Sequence, residues 1–128
     1  MIYLDSSVAL AHIMAEQRRP EAQFWLQPFA SSRLLQFEIF NRLHARNVGR
    51  YRHERARGIL NRVEYVEFDG NAHVRALRPF PISVRTLDGL HLAAMDHLRV
   101  RGIAMTLASY DIRLLAAANA MGFPILQP

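Results

Sequence analysis

Short apolar runs alternate with longer helical patterns along this chain, and this alternation is its strongest constraint on the fold. The predicted strands cover residues 2–4, 63–68, 103–107 and 124–126. The segments between them are long enough for helices, and a parallel strand pair needs a long crossover connection of this kind. The sequence therefore predicts an α/β domain with a mainly parallel sheet.

Helix start and stop signals mark the segments between the strands. Ser and Thr precede several of them, and glycines 49, 102 and 122 follow three of them. The predicted helices cover residues 6–17, 20–28, 32–47, 53–62, 71–77, 87–99 and 111–120. No repeat, low-complexity tract or linker interrupts the pattern, so residues 1–128 are predicted to form a single domain, long enough to bury a core.

Composition excludes several classes of protein. Hydrophobic residues make up 51% of the chain, which excludes a disordered protein. No apolar run approaches the roughly 20 residues that span a bilayer, and the N-terminal segment MIYLDSSVAL has no basic region typical of a signal peptide. The chain has no cysteine, which excludes a disulfide scaffold. We therefore expect a cytoplasmic protein without a membrane partner.

The net charge of +5 comes from arginine alone, because the sequence contains no lysine. Arginine can bind a phosphate or a carboxylate through two parallel hydrogen bonds. The missing lysine excludes a P-loop nucleotide hydrolase, a phosphatase with an aspartyl nucleophile and a receiver domain of the usual type.

Four acidic residues stand almost alone among apolar or basic neighbours: Asp5, Glu38, Asp88 and Asp111. A carboxylate in such surroundings must be paired, protonated or bound to a metal, since desolvating it alone is prohibitive. Asp5 and Asp111 follow predicted strands, and open α/β sheets form their sites at the carboxyl ends of strands. Acids from separate segments can meet there and hold Mg²⁺ or Mn²⁺.

Each of these acids also has a local explanation. Asp5 and Asp111 could cap the helices that follow them, and Asp88 in a first turn would complement the helix dipole. Glu38 lies far from any helix end, and its only local partner is Arg42, four residues later. The metal-site hypothesis therefore depends on the four acids as a set.

Four segments carry a family resemblance along nearly the whole chain: MIYLDSSVALAHI, SSRLLQFEIFNRLHAR, ISVRTLDGLHLAAM and TLASYDIRLLAAANAMGFPIL. They resemble the PIN-domain nucleases, in particular the VapC-type toxins of bacterial type II toxin–antitoxin pairs. The resemblance implies a Rossmann-like PIN domain with a central sheet of four to five strands flanked by helices. It also implies RNA cleavage dependent on Mg²⁺ or Mn²⁺, a homodimer, and silencing by a VapB-type antitoxin protein.

The same resemblance assigns roles to individual residues. It identifies the catalytic and metal-binding acids as Asp5, Glu38, Asp88 and Asp111. It implies that Ser6 and Ser109 donate hydrogen bonds to these acids. Gly89 stands where alanine is more usual in the family.

Several further residues have two interpretations. The arginines Arg42, Arg46 and Arg50 could contact RNA phosphates or an acidic antitoxin segment, or could form a merely solvated face. Trp25 is predicted to pack in the core, although its surroundings are a candidate surface for the antitoxin or a second subunit. Asp96 is predicted to be a surface residue.

His91 follows Asp88 by three residues and is predicted to be a packed or hydrogen-bonded histidine rather than a metal ligand. The main alternative to a nuclease is a catalytically inactive PIN-like module that binds RNA or protein. A complete set of four acids argues against it, because a pure binder gains little from negative charge where phosphate must approach.

Overall fold

The computed structural model describes residues 1–128 and contains five strands, six α-helices and one short 3₁₀ helix. The strands are β1 (Ile2–Leu4), β2 (Phe29–Ser32), β3 (Val63–Val66), β4 (Thr106–Ala108) and β5 (Ile125–Leu126). The helices are α1 (Ser6–Ile13), α2 (Leu34–Ala45), α3 (Arg50–Leu60), α4 (Gly70–Ala76), α5 (Thr86–Val100) and α6 (Ile112–Ala120), and the 3₁₀ helix is Ala22–Leu26. None of the helices combines the length and the apolar character that crossing a membrane requires.

The five strands form one fully parallel sheet in the order β3-β2-β1-β4-β5. The chain builds one half of the sheet outward from β1 and then returns to add β4 and β5 on the other side. The strand order therefore reverses between β1 and β4, where the crevice beyond the carboxyl ends of the strands is the usual ligand position. This topology confirms the predicted parallel α/β architecture.

Apolar layers cover both faces of the sheet. Ile2 and Leu4 of β1 belong to the layer under α1, α2 and α3, while Tyr3 belongs to the layer under α5 and α6. Successive side chains of a strand point to opposite faces, so β1 is buried on both sides. A strand buried on both sides is apolar without alternation, which is how β1 appears in the sequence.

One strand and several boundaries were predicted wrongly. Residues 29–32 form β2, where the sequence predicted no strand and offered Ser31 or Ser32 as a helix cap. The Ser31 hydroxyl instead donates across the sheet to the Leu4 carbonyl at 2.9 Å. The Ser32 hydroxyl does accept from the Leu34 amide at the start of α2, at 3.2 Å. The predicted helix over 20–28 is only the 3₁₀ helix. Helix α1 stops at Ile13, because Ala15 adopts a left-handed conformation with φ of 53°.

Two boundaries differ by three residues. Helix α3 begins at Arg50 rather than at residue 53, and β4 begins at Thr106 rather than at residue 103. Such shifts are smaller than the missed strand, and they leave the order of elements unchanged.

Asp96 is not a surface residue, so that prediction is wrong. Its side chain is only 13% exposed. One carboxylate oxygen binds Arg75 at 2.6 Å and the other binds Arg99 at 2.5 Å. Two arginines therefore surround the acid on the outer part of α5 and compensate its desolvation.

Trp25 packs in the core, as predicted. The residue is 7% exposed, and its ring contacts those of Phe24, Phe29 and His12. The indole itself therefore offers no surface to a partner, whereas the neighbouring Leu26 is 82% exposed.

Replacing Gly89 by alanine is expected to raise the free energy of unfolding by less than about 1 kcal/mol. Alanine favours the helix interior, but a Cβ at this position would lie 3.2 Å from Val84 Cγ2. Val84 is a half-buried loop residue that can shift by the few tenths of an ångström required. Urea unfolding of Gly89→Ala measures the effect.

Gly58→Ala is the matched control, because Gly58 lies inside α3 and a Cβ there meets no atom within 4 Å. It should give the full gain of about 1 kcal/mol. A loss of stability in Gly89→Ala beside a gain in Gly58→Ala would show that Val84 cannot move.

Candidate functional site

The fold brings the four predicted acids to the end of the sheet where the parallel strands finish. Asp5 directly follows β1, and Asp111 follows β4 by three residues. Asp88 lies in the first turn of α5 and Glu38 in the second turn of α2. Burial raises the pKa of the Asp88 carboxyl, and the charges of Asp111, Asp5 and Glu38 raise it further. The four carboxylates therefore share one site, which we call the acidic cup.

Asp5 is the most buried member of the acidic cup, at 6% exposure. Its Oδ2 accepts hydrogen bonds from the Ser109 hydroxyl at 2.7 Å and from the Ser7 amide at 3.3 Å, as well as from the Ser7 hydroxyl. Its Oδ1 accepts none and is not fully buried. Burial raises the pKa of Asp5, and the bonds from the two serines partly offset this effect.

Two serines connect the loops that carry Asp5 and Asp111. Ser109 accepts a hydrogen bond from the Asp111 amide at 2.9 Å while it donates to Asp5. Ser7 accepts from the Tyr110 amide at 2.9 Å while it binds the same carboxylate. Ser7 was not among the predicted site residues, although its position two residues after a capping aspartate is a signal that could have identified it.

Asp111 and Asp88 keep carboxylate oxygens without a partner. Asp111 Oδ1 caps α6 by accepting from the amides of Arg113 and Leu114, while its Oδ2 has no partner in the protein. Asp88 accepts no hydrogen bond and forms no ion pair, and its pKa is raised mainly because it is partly buried. The capping explanations for Asp5 and Asp111 are thus correct for one oxygen of each residue and leave the other oxygen free.

Glu38 has two partners, and Arg42 is neither of them. Its Oε2 accepts from the Ser6 hydroxyl at 3.2 Å, and its Oε1 accepts from His91 Nε2 at 2.5 Å. The local alternative for Glu38, an ion pair with Arg42, is therefore wrong. The buried imidazole of α5 provides a fixed partner, whereas a pair with a solvated guanidinium would gain little.

His91 connects Glu38 to residues of strands β1 and β2. The residue is 1% exposed, and its Nδ1 lies 2.9 Å from the Tyr3 hydroxyl and 3.4 Å from the Ser32 hydroxyl. Burial lowers the pKa of His91, but its contacts with Tyr3 and Glu38 outweigh this effect and raise the pKa to about 10. The imidazole is therefore cationic at neutral pH. His91 is hydrogen-bonded, as the sequence analysis expected.

Replacing His91 by alanine is expected to lower the free energy of unfolding by about 1–3 kcal/mol. The substitution removes the partner of Glu38 Oε1 and a hydrogen-bond partner of the Tyr3 hydroxyl, and it leaves a cavity between α5 and β1. Urea denaturation of His91→Ala measures the loss.

His97→Ala is the matched control, because His97 lies on the same helix, its side chain is only 10% exposed, and its one polar contact is with Asp69 at 3.5 Å. Its loss of stability should be clearly smaller. Equal losses in the two variants would contradict a special role of the Tyr3–His91–Glu38 contacts.

The chemistry of the acidic cup fits a hard divalent cation. Its uncommitted donors are carboxylate oxygens of Asp5, Asp88 and Asp111, and these are the ligands that Mg²⁺ and Mn²⁺ prefer. No three acidic or histidine side chains converge tightly enough to hold a metal ion by direct contacts alone. An ion bound there would keep several water molecules and take one or two carboxylates directly.

The largest cavity lies elsewhere. It has a volume of about 740 Å³ and opens between α4 and the second half of α5, where its wall includes Arg75, Arg78 and Arg101. None of the four acids lines it. Free volume alone therefore does not locate this site, whereas the convergence of carboxylates does.

Comparison with known proteins agrees with the fold. Residues 2–120 match the family model of the PIN domain. The chain is 29% identical over 139 residues to Ribonuclease VapC47 of Mycobacterium tuberculosis (strain CDC 1551 / Oshkosh). That alignment covers 100% of this chain and 97% of the relative. It is 28% identical over 131 residues to Ribonuclease VapC46 of Mycobacterium tuberculosis (strain ATCC 25618 / H37Rv). This second alignment covers 99% of this chain and 97% of the relative.

The family match spans every element that carries or supports the acidic cup, from β1 to α6. The family assignment agrees with two features of the structure. These are the order of the strands in the sheet and the position of the acids where that order reverses. The chain belongs to the PIN domain family.

Proposed function

We propose that this protein is a divalent-metal-dependent endoribonuclease and the toxin component of a type II toxin–antitoxin system. The observation that carries this proposal is the acidic cup at the carboxyl ends of β1 and β4, where three carboxylates keep free oxygens. The full-length similarity to two proteins named as VapC ribonucleases supports the choice of RNA as substrate.

Asp5, Asp88 and Asp111 would hold the cation, one or two of them directly and the rest through water, because each has an oxygen that no protein group uses. Both oxygens of Glu38 are engaged by Ser6 and His91, so Glu38 would face the cation through water. Ser7 and Ser109 fix the orientation of Asp5 through its Oδ2 and leave its Oδ1 without a protein partner.

The four negative charges of the acidic cup repel the phosphates of RNA until a cation compensates them. A bound Mg²⁺ or Mn²⁺ supplies a Lewis acid that activates water and stabilises charge at the phosphodiester. Asp88 has two free oxygens, so it can contact the cation with one and orient the attacking water with the other. The ion pair with His91 prevents Glu38 from rotating away.

The partners of this activity are an RNA substrate, a VapB-type antitoxin protein and a second copy of the chain. The relatives support the first two partners through their names and the family they represent. Size-exclusion chromatography with light scattering tests the homodimer directly.

Sequencing the ends of cellular RNA after brief induction tests the proposed activity. New ends at defined positions should appear with the natural protein and be absent with Asp88→Ala. RNA that is bound by the protein but never cut would overturn the proposal in favour of a binding module.

A further inference from the structure

A groove of about 300 Å³ opens beside the acidic cup, between α1, α2 and the beginning of α5. Glu38 belongs to both, and Ser6, which donates to Glu38, also lines the groove, so the groove is continuous with the acidic cup. Beyond them the groove has polar and apolar walls, formed by Asn41 and Arg42 and by Leu10, Phe37 and Leu87. Its volume is at the lower end of the range of small-ligand sites.

Arg42 is an available cation at this position. It lies one helical turn after Glu38, about 6 Å further along α2, and its side chain is exposed. Since Glu38 binds Ser6 and His91, Arg42 has no carboxylate partner. Arg50, by contrast, is paired with Glu54 at 2.9 Å. The free guanidinium therefore lies within one turn of a member of the acidic cup.

The apolar wall of the groove includes an aromatic ring that the fold does not bury. Phe37 is 60% exposed and Leu87 is 36% exposed. The face of an exposed aromatic ring is a surface on which a nucleobase stacks, and single-stranded nucleic acids are commonly bound by such rings next to positive charge. The groove thus combines a site for a base with a site for a phosphate.

We propose that this groove binds the nucleotide adjacent to the scissile phosphate in single-stranded RNA, an inference that rests on the function proposed above. Arg42 binds the phosphate of this nucleotide through its two parallel N–H groups. Phe37 stacks on the base, with Leu87 beside it. The side-chain amide of Asn41 lines the same groove and offers a donor and an acceptor to the edge of the base.

Binding of a fluorescein-labelled RNA 12-mer of random sequence, followed by anisotropy, tests the proposal. All variants are made on the Asp88→Asn background without metal, so that cleavage does not interfere and repulsion in the acidic cup is reduced. Each titration is repeated at several salt concentrations, because the slope of log K against log salt counts phosphate contacts.

Arg42→Gln should weaken binding and reduce the salt slope by about 0.7, the value of one phosphate contact on a single strand. Arg46→Gln is the matched control, because Arg46 lies one turn further along α2 but outside the groove. Its salt slope should stay unchanged. Equal slopes in all three proteins would overturn the assignment of Arg42.

Phe37→Ala should weaken binding about 5- to 100-fold without changing the salt slope, and Phe37→Tyr should restore binding. Tyr51→Ala is the matched control, because Tyr51 is an aromatic residue of α3 with 68% exposure that is not part of the groove. Equal affinities of Phe37→Ala and Tyr51→Ala would overturn the stacking assignment.

The two proposals fail in different ways. Cleavage by the natural protein together with no effect of Arg42 and Phe37 on binding would remove the groove and leave the nuclease intact. Binding that depends on both residues, without cleavage by the natural protein under any metal, would leave the groove as an RNA site and remove the nuclease.

Discussion

Asp88→Asn is expected to lower the rate of RNA cleavage by more than about 100-fold. Loss of a hydrogen-bond partner that orients a metal ligand already lowers affinity or activity about 10- to 100-fold, and loss of a ligand should exceed this. Asparagine keeps the shape of the side chain but removes its charge and one acceptor oxygen. Cleavage of a labelled RNA substrate, measured at saturating Mn²⁺, gives the rate.

The same substitution is expected to stabilise the metal-free protein. The raised pKa of Asp88 means that the folded state disfavours its charged form, through burial and through Asp111, Asp5 and Glu38. At neutral pH this charge therefore destabilises the fold, and the penalty disappears as pH falls through the raised pKa. Urea unfolding at neutral pH should show a higher free energy for Asp88→Asn, and the difference from the natural protein should shrink in acid.

Asp96→Asn is the matched control on the same helix. Its carboxylate pairs with Arg75 and Arg99 outside the acidic cup, so the substitution should reduce stability and leave cleavage unchanged. The two variants thus change stability in opposite directions. A cleavage rate of Asp88→Asn equal to that of the natural protein would falsify the assignment of Asp88.

Removing divalent metal with EDTA is expected to abolish cleavage, and adding Mn²⁺ or Mg²⁺ should restore it. Binding of the ion to the folded state alone should also stabilise the protein, by about 2.7 kcal/mol at a concentration one hundred times the dissociation constant. For a chain of this size the melting temperature should rise on the order of 10 °C. Differential scanning calorimetry with and without Mn²⁺ measures this shift.

Asp5→Asn should lose most of the Mn²⁺-induced shift, because it removes the most buried carboxylate of the acidic cup. Asp69→Asn is the control, since Asp69 caps α4 and approaches His97 outside the acidic cup, and it should keep the full shift. Equal loss of the shift in both variants would indicate general binding of Mn²⁺ to acidic groups. Cleavage that persists in EDTA would exclude metal dependence.

Except for β2, the order of strands and helices was predictable from the sequence, because each of these elements is marked by a local pattern of residues. Buried β1 is a continuous apolar run, and α5 lies between Thr86 at its start and Gly102 after its end. Strand β2 was missed for the same reason, since its four residues end in two serines that resemble a helix cap. The burial and pairing of those serines come from β1 and β3, which lie far away in the sequence.

The partners of the acids were less predictable than the acids themselves. Isolation among apolar and basic neighbours, together with the family resemblance, selected Asp5, Glu38, Asp88 and Asp111 as candidates. Local spacing suggested that Glu38 pairs with Arg42, but its partner is His91, 53 residues away. Because Glu38 binds this distant residue, Arg42 has no carboxylate partner and is available in the groove that it lines.

The sequence by itself determined the parallel α/β architecture and the identity of the four isolated acids, because hydrophobic periodicity and the cost of burying charge act on each segment separately. Only the tertiary structure decided which carboxylate oxygens are free, through Ser7, Ser109 and His91. Such choices depend on atoms from segments far apart in the chain, and their distances are set by packing of the whole fold rather than by any local preference.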